Sequence, residues 1–288
     1  MAFATVTADV HGRLLVVSAF RWADVAASSF ITVLLAVMIG LSVSATMRGG
    51  RLATARTEQV GSSPLLGTAA IEMLYWNVQR WAKHLNGLGV TPNQLSMISL
   101  LFGAVAGVAA AVGGMGIAAL LLSLSGIFDL FDGLVARARG IASDSGEVID
   151  VLADRYAEIA VFIGILIFYR GSLVLQVIAI IALEGSGMVT YASAKVEAMR
   201  ASVPAALMRR HERMTYLIGA MWLSGFSLPL ERHAGWGSGI AVPLVAGLVI
   251  LAVVANLAAI ARMRRLARVL AEALPKPLTD GNGGNAAP

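Results

Sequence analysis

Long apolar runs alternate with short polar breaks along this chain, and the breaks hold most of its charge. The first run, Ser28 to Ala45, approaches bilayer-crossing length and is followed by Arg48, Arg51 and Arg56. A secretory signal would have a shorter apolar core nearer the start, so the pattern predicts a retained membrane helix over 28–45. Residues 46–64 read as a polar linker. The stretch from Ala69 to Leu88 mixes Tyr75, Trp76, Arg80, Trp81 and Lys83 with aliphatic residues. That mixture suits either a helix at the membrane surface or an ordinary packed amphipathic helix. Thr91-Pro92-Asn93-Gln94 has the form of a helix start, with Thr91 as the cap and Pro92 in the first turn. Beyond it the pattern predicts six spans, at 94–113, 116–139, 146–169, 173–198, 212–229 and 238–262.

Composition supports a membrane-embedded chain. Of 288 residues, 58% are hydrophobic and 14% charged, where a soluble domain carries about a quarter charged residues. The fold class expected is an all-α integral membrane bundle. Four segments follow: an N-terminal extension (1–65), a juxtamembrane amphipathic helix (66–90), the main bundle (91–265) and a cytoplasmic tail (266–288). From Pro275 onward the tail is rich in Gly, Pro and Asn and reads as disordered. Cysteine is absent, which excludes disulfides, thiolate metal sites and a cysteine nucleophile. The four histidines lack ligand spacing.

Charge adds an orientation. The net charge of +5 marks loops and anionic ligands rather than nucleic acid. Connectors 113–116, 170–172 and 230–237 carry few positive charges. Arg80, Lys83, Arg137, Arg139, Lys195, Arg200, Arg209, Arg210, Arg213, Arg262, Arg264, Arg265 and Arg268 fall on the opposite side. The asymmetry places that side at the cytoplasm and the protein in the cell membrane.

Four aspartates lie inside this apolar frame. At about 100° per residue, Asp129, Asp132, Gly133 and Ala136 share one helix face. Gly146, Asp150 and Asp154 share a face of the next helix. If the faces meet, four carboxylates converge beside three residues with little or no side chain. Carboxylates at membrane depth are costly unless they work in a cavity, and this set suits hard divalent cations beside a phosphate-bearing ligand. Nearby Arg137, Arg139 and Arg155 are too few to neutralise all four; Arg155 and Glu158, three apart, suit a pair with each other. Glu184 stands alone in the middle of its span, with a neighbouring helix or the cavity as its target. Gly103, Gly107, Gly113 and Gly114 suit close helix packing.

The run Asp129, Asp132, Gly133, Ala136, Arg137, Gly146, Asp150, Asp154 reads D-x2-D-G-x2-A-R-x8-G-x3-D-x3-D. It resembles the signature of the CDP-alcohol phosphatidyltransferase family of integral membrane enzymes, and the likeness extends over about 90–265. The resemblance implies transfer of a phosphatidyl group from CDP-diacylglycerol to an alcohol, with release of CMP. It implies Mg²⁺ or Mn²⁺, two ions per site, held by Asp129, Asp132 and Asp150 with Asp154 contributing to one and acting as general base. Gly133 and Arg137 match nucleotide-binding positions, Ser143 sits where a small hydroxyl residue contacts the nucleotide, and Thr91, Pro92, Asn93 and Gln94 match a segment at the CDP phosphates. Ala136 and Gly146 complete the substrate-binding set as small residues that let the nucleotide approach. It also implies membrane lipids as surroundings and a homodimer. Residues 1–65 have no counterpart in the family's minimal core.

Thr190-Tyr191-Ala192-Ser193-Ala194-Lys195-Val196-Glu197 resembles a family segment ending the fourth span, with lysine at Lys195 where arginine is usual. Members that accept phosphorylated alcohols hold the acceptor's phosphate with basic residues here. Lys195, Arg200, Arg209, Arg210 and Arg213 are the candidates, against ordinary cytoplasmic charge. A phosphorylated polyol, inositol phosphate or glycerol phosphate, is therefore the favoured acceptor. Two other readings use acidic helices: an intramembrane prenyltransferase, and a cation transporter. The first separates its acidic motifs widely along the chain. The second predicts broken helices or related halves and leaves Gly133, Ala136 and Arg137 without a reason.

Overall fold

The polar breaks end one helix and start the next, so the described residues form a series of long helices. A computed structural model describes residues 10–47, 72, 76, 78, 89–141, 144–204, 208–235 and 239–272. The linker over 48–64, the end of the tail and Ser143 lie outside the described residues, as does most of the juxtamembrane segment. From that segment, Val78 is buried against Leu95, Phe131 and Val135.

The helices are α1 (Val10–Met47), α2 (Pro92–Ala111), α3 (Met115–Ala138), α4 (Asp144–Phe168), α5 (Leu173–Ala198) and α6 (Arg210–His233). The last helix runs through α7 (Val242–Ile250), a π segment (Leu251–Ala255) and α8 (Asn256–Glu272). Among the described residues, five are long and apolar enough to cross a membrane: Arg21–Ser44 of α1, then α2, α3, α5 and Val242–Glu272. α4 and α6 have comparable length but hold the buried charges Asp154, Glu158, Glu212 and Arg213. The largest changes to the sequence-derived boundaries are at α1, which starts at Val10 rather than 28, at α6, which reaches His233 rather than 229, and at the last helix, which runs from Val242 to Glu272 rather than over 238–262.

α2 begins as its sequence predicts. Thr91 accepts from the Gln94 N–H at 3.3 Å, and the Gln94 side chain accepts from the Thr91 N–H at 2.9 Å. Together they form a capping box that satisfies two otherwise orphan donors. Further along, α2 presents Gly103, Ala106 and Gly107 to its neighbours. A Cβ on Gly103 would overlap the Ala157 side chain, one on Gly107 the Ala160 carbonyl, and one on Gly164 the Gly107 carbonyl. α2 and α4 thus pack backbone against backbone, as small residues allow in a membrane.

α1 is clasped to the bundle by polar contacts. Asp24 is buried, and its carboxylate accepts the Ile117 N–H at 2.9 Å, capping α3 from another helix. Ser28 donates to the Trp222 carbonyl at 3.1 Å, and the Trp222 indole donates back to the Ser28 carbonyl at 3.0 Å. Gly116 and Gly225 leave room for this crossing. At the same end, Glu231 accepts the N–H groups of Ile240, Ala241 and Val242, which fixes the start of α7. The main core lies between these contacts and the aspartates, and is filled by Met115, Leu122, Phe162, Ile165, Leu217, Met221 and Leu248.

Candidate active site

α3 and α4 bring their aspartates together. One carboxylate oxygen each from Asp129, Asp132 and Asp150 lies within 4.8 Å of the others. Asp132 is buried and accepts the Ser96 hydroxyl at 2.6 Å, while Oδ1 of Asp129 is buried and accepts no hydrogen bond. Three carboxylates this close repel one another unless a cation lies among them. An all-oxygen donor set of three crowded carboxylates fits a hard divalent ion.

Asp154 sits one turn beyond Asp150 and outside the three-carboxylate group. It is buried and ion-paired with Arg210, whose guanidinium also lies 3.5 Å from Asp129. Arg210 therefore joins the acidic cluster to the cavity next to it. That cavity, about 340 Å³, is lined by Asp154, Glu158 and five arginines: Arg155, Arg209, Arg210, Arg213 and Arg262. Val151, Val189, Thr190 and Ser193 complete its wall. Five guanidinium groups against two carboxylates leave three positive charges in excess.

The arginines are held in place. Arg155 pairs with Glu158 at 2.6 Å, as the spacing predicted, and also donates to Thr190 at 2.7 Å. Thr190 accepts from Arg213 at 3.1 Å as well, and Arg213 donates to the Met208 carbonyl at 2.8 Å. Glu158 is further anchored by the Ser186 hydroxyl. Nε of Arg213 and Nε of Arg262 are buried with no hydrogen-bond partner. Buried N–H groups of that kind on a cavity wall call for an anion, and an arginine fork suits a phosphate.

The other sequence candidates are distributed as follows. Gly133 and Ala136 share the aspartate face of α3, and a Cβ on Gly133 would stand 3.1 Å from the Arg137 guanidinium. Gly146 lies one turn before Asp150 on α4. Thr91, Pro92, Asn93 and Gln94 form the α2 start, a turn from Ser96 and so from Asp132. Arg209, Arg210 and Arg213 reach the cavity; Lys195, at the end of α5, and Arg200, exposed beyond it, are not part of its lining. Glu184 is exposed on α5, so it reaches neither target expected of it.

Sequence reasoning passed over Ser96, Arg262 and the hydroxyl row. Arg262 follows Leu244, Leu248, Leu251, Ala255 and Ala259 at three-and-four spacing, a cation in phase with an apolar stripe. Ser186, Thr190 and Ser193 stand at i, i+4 and i+7 on α5. Both signals were present in the sequence.

The family model described as CDP-alcohol phosphatidyltransferase matches residues 89–263. The chain belongs to the CDP-alcohol phosphatidyltransferase family. It is a membrane transferase of phospholipid biosynthesis, and the prenyltransferase and transporter readings fall. It is 32% identical over 154 residues to the phosphatidylinositol phosphate synthase of Mycobacteroides abscessus, covering 50% of this chain and 68% of that protein. It is 32% identical over 159 residues to the enzyme of the same name from Corynebacterium glutamicum, covering 53% and 72%. The fold resembles that of Mycobacterium tuberculosis phosphatidylinositol phosphate synthase solved with CDP-DAG bound. There the TM-score is 0.59 at 22% identity, over 70% of this chain and 98% of that one. Another crystal structure of that enzyme, in complex with manganese and citrate, has a TM-score of 0.57 at 23% identity, over 66% and 88%. α1 lies outside the residues that match the family model.

Proposed function

We propose that this phosphatidyltransferase moves the phosphatidyl group of CDP-diacylglycerol onto a hydroxyl of a phosphorylated polyol, with inositol phosphate the first candidate and glycerol phosphate the second. The observation that carries the reading is the arginine-lined cavity that opens beside Asp154. A phosphate monoester is dianionic near neutral pH, and the excess positive charge there matches it; a free polyol or serine would leave that charge without a counterpart. The names of the relatives support inositol phosphate over glycerol phosphate.

In this reading Asp129, Asp132 and Asp150 hold Mg²⁺ or Mn²⁺, two ions per site. When bound, the metal supplies charge neutralisation for the diphosphate and polarises the attacked phosphorus. Gly133 and Ala136 let the cytidine nucleotide lie close to α3, and Arg137, Gly146, Ser143 and the Thr91–Gln94 turn flank it. Arg213, Arg262 and Arg209 grip the acceptor's phosphate and aim its hydroxyl at Asp154. Asp154 takes the hydroxyl proton as the new oxygen–phosphorus bond forms, and the bond from that phosphorus to CMP breaks. Arg210 leaves Asp154 for the incoming phosphate. The positive residues at this end support a site at the cytoplasmic face of the cell membrane.

The test is CMP release by the purified protein given CDP-diacylglycerol, Mg²⁺ and inositol phosphate, glycerol phosphate, inositol or serine in turn. Release with a phosphorylated polyol and not with inositol or serine is the expected result; release with serine alone overturns the acceptor. Arg213→Ala should raise the acceptor KM about 10- to 100-fold, the loss of a charged hydrogen-bond donor, with the CDP-diacylglycerol KM little changed. We also propose a homodimer. Glu184 lies on the exposed face of α5 with Val177, Ile180 and Tyr191, and a carboxylate facing lipid is costly unless a second protein surface covers it. Light scattering in detergent should give twice the protomer mass, and a protomer mass would count against it.

A further inference from the structure

We propose that Ser96 is a positioning residue for the aspartate metal site, fixing the Asp132 carboxylate in its ligating orientation from the neighbouring helix. The inference rests on the reading that Asp129, Asp132 and Asp150 bind a divalent ion. Ser96 lies on α2, is 4% exposed, and its hydroxyl stands 2.6 Å from Oδ2 of Asp132. The other acceptor within reach, the Pro92 carbonyl, is 3.3 Å away, so the single hydroxyl proton goes to the carboxylate. Asp132 lies on α3, and Ser96 connects it to the helix that starts at the Thr91 capping box.

A carboxylate among two others turns away from them unless something fixes its torsions. A neutral donor on one oxygen does so without taking its negative charge, and the remaining lone pairs stay available to a cation. Partners of this kind, one shell out from the metal, orient ligands; their loss typically weakens metal binding 10- to 100-fold. Ser99 supplies the control. It lies one turn along α2, is 3% exposed, and donates to the Ser125 carbonyl at 2.9 Å. It therefore joins the same two helices without touching an aspartate of the cluster.

The experiment is Mn²⁺ titration of the purified full-length protein in detergent, read by electron paramagnetic resonance of free Mn²⁺, with no substrate present. Ser96→Ala should raise the Mn²⁺ Kd 10- to 100-fold, and Ser96→Thr, which keeps the hydroxyl, should restore it. Ser99→Ala should lower the melting temperature and leave the Kd at the wild-type value. Should Ser96→Ala fail to fold, Ser96→Cys replaces it, with similar size and a weak donor. An unchanged Kd in Ser96→Ala, or an equal rise in Ser99→Ala, overturns the inference and leaves the metal site standing. Wild-type protein that binds Mn²⁺ no better than Asp132→Ala overturns the metal site itself and the inference with it.

Discussion

Asp154→Asn is expected to lower CMP release about 10²- to 10⁴-fold, the usual effect of removing a general base. The amide has the shape of the carboxylate and cannot take a proton at neutral pH. Asp154 lies outside the Asp129, Asp132 and Asp150 group, so metal-dependent binding of CDP should survive in the variant. Asp132→Asn should lose that binding. The fold should also tolerate the change, because the Arg210 side chain keeps Asp129 at 3.5 Å and is 41% exposed, so water can solvate it. The measurement is CMP release against CDP affinity for both variants. Turnover of Asp154→Asn within tenfold of wild type would move the proton acceptor to another group. Loss of CDP binding along with turnover would return Asp154 to the set of metal ligands.

Gly164→Val should prevent stable folding, or lower stability by about 3 kcal/mol or more. The added side chain would begin inside the carbonyl of Gly107, and the obstacle is backbone, which no rotamer change can clear. The two helices would have to separate. α2 carries Ser96 and α4 carries Asp150, so separation would also pull the site apart. Gly126→Ala is the matched control. A Cβ there meets nothing within 4 Å, and alanine favours a helix over glycine by about 1 kcal/mol. Thermal unfolding in detergent compares the two. If both variants melt with the wild type, the close crossing of α2 and α4 is not what holds them together.

The sequence by itself determined the all-helical membrane class of the protein, the order of its main helices, and the helix faces that carry Asp129, Asp132 and Asp150. Those features follow from local periodicity: apolar runs of spanning length, a Thr-Pro helix start, and carboxylates three and four residues apart. Each is a property of one helix or of two helices joined by a short turn. Contacts between distant segments were decided only in the tertiary structure. Asp154 shares its helix face with Asp150 but meets Arg210, which lies on α6. Lys195 and Arg200 are near the cavity residues in sequence and miss the cavity, whereas Arg262 arrives from the last helix. Residues 28–45 have the composition of a simple anchor, yet α1 is fastened to α3 and α6 through Asp24 and Ser28. The physical reason is common to all of these. A helix's period fixes which residues share a face, but which face meets which depends on the crossing of helices far apart in the chain, and those crossings are set by where glycines let backbones touch.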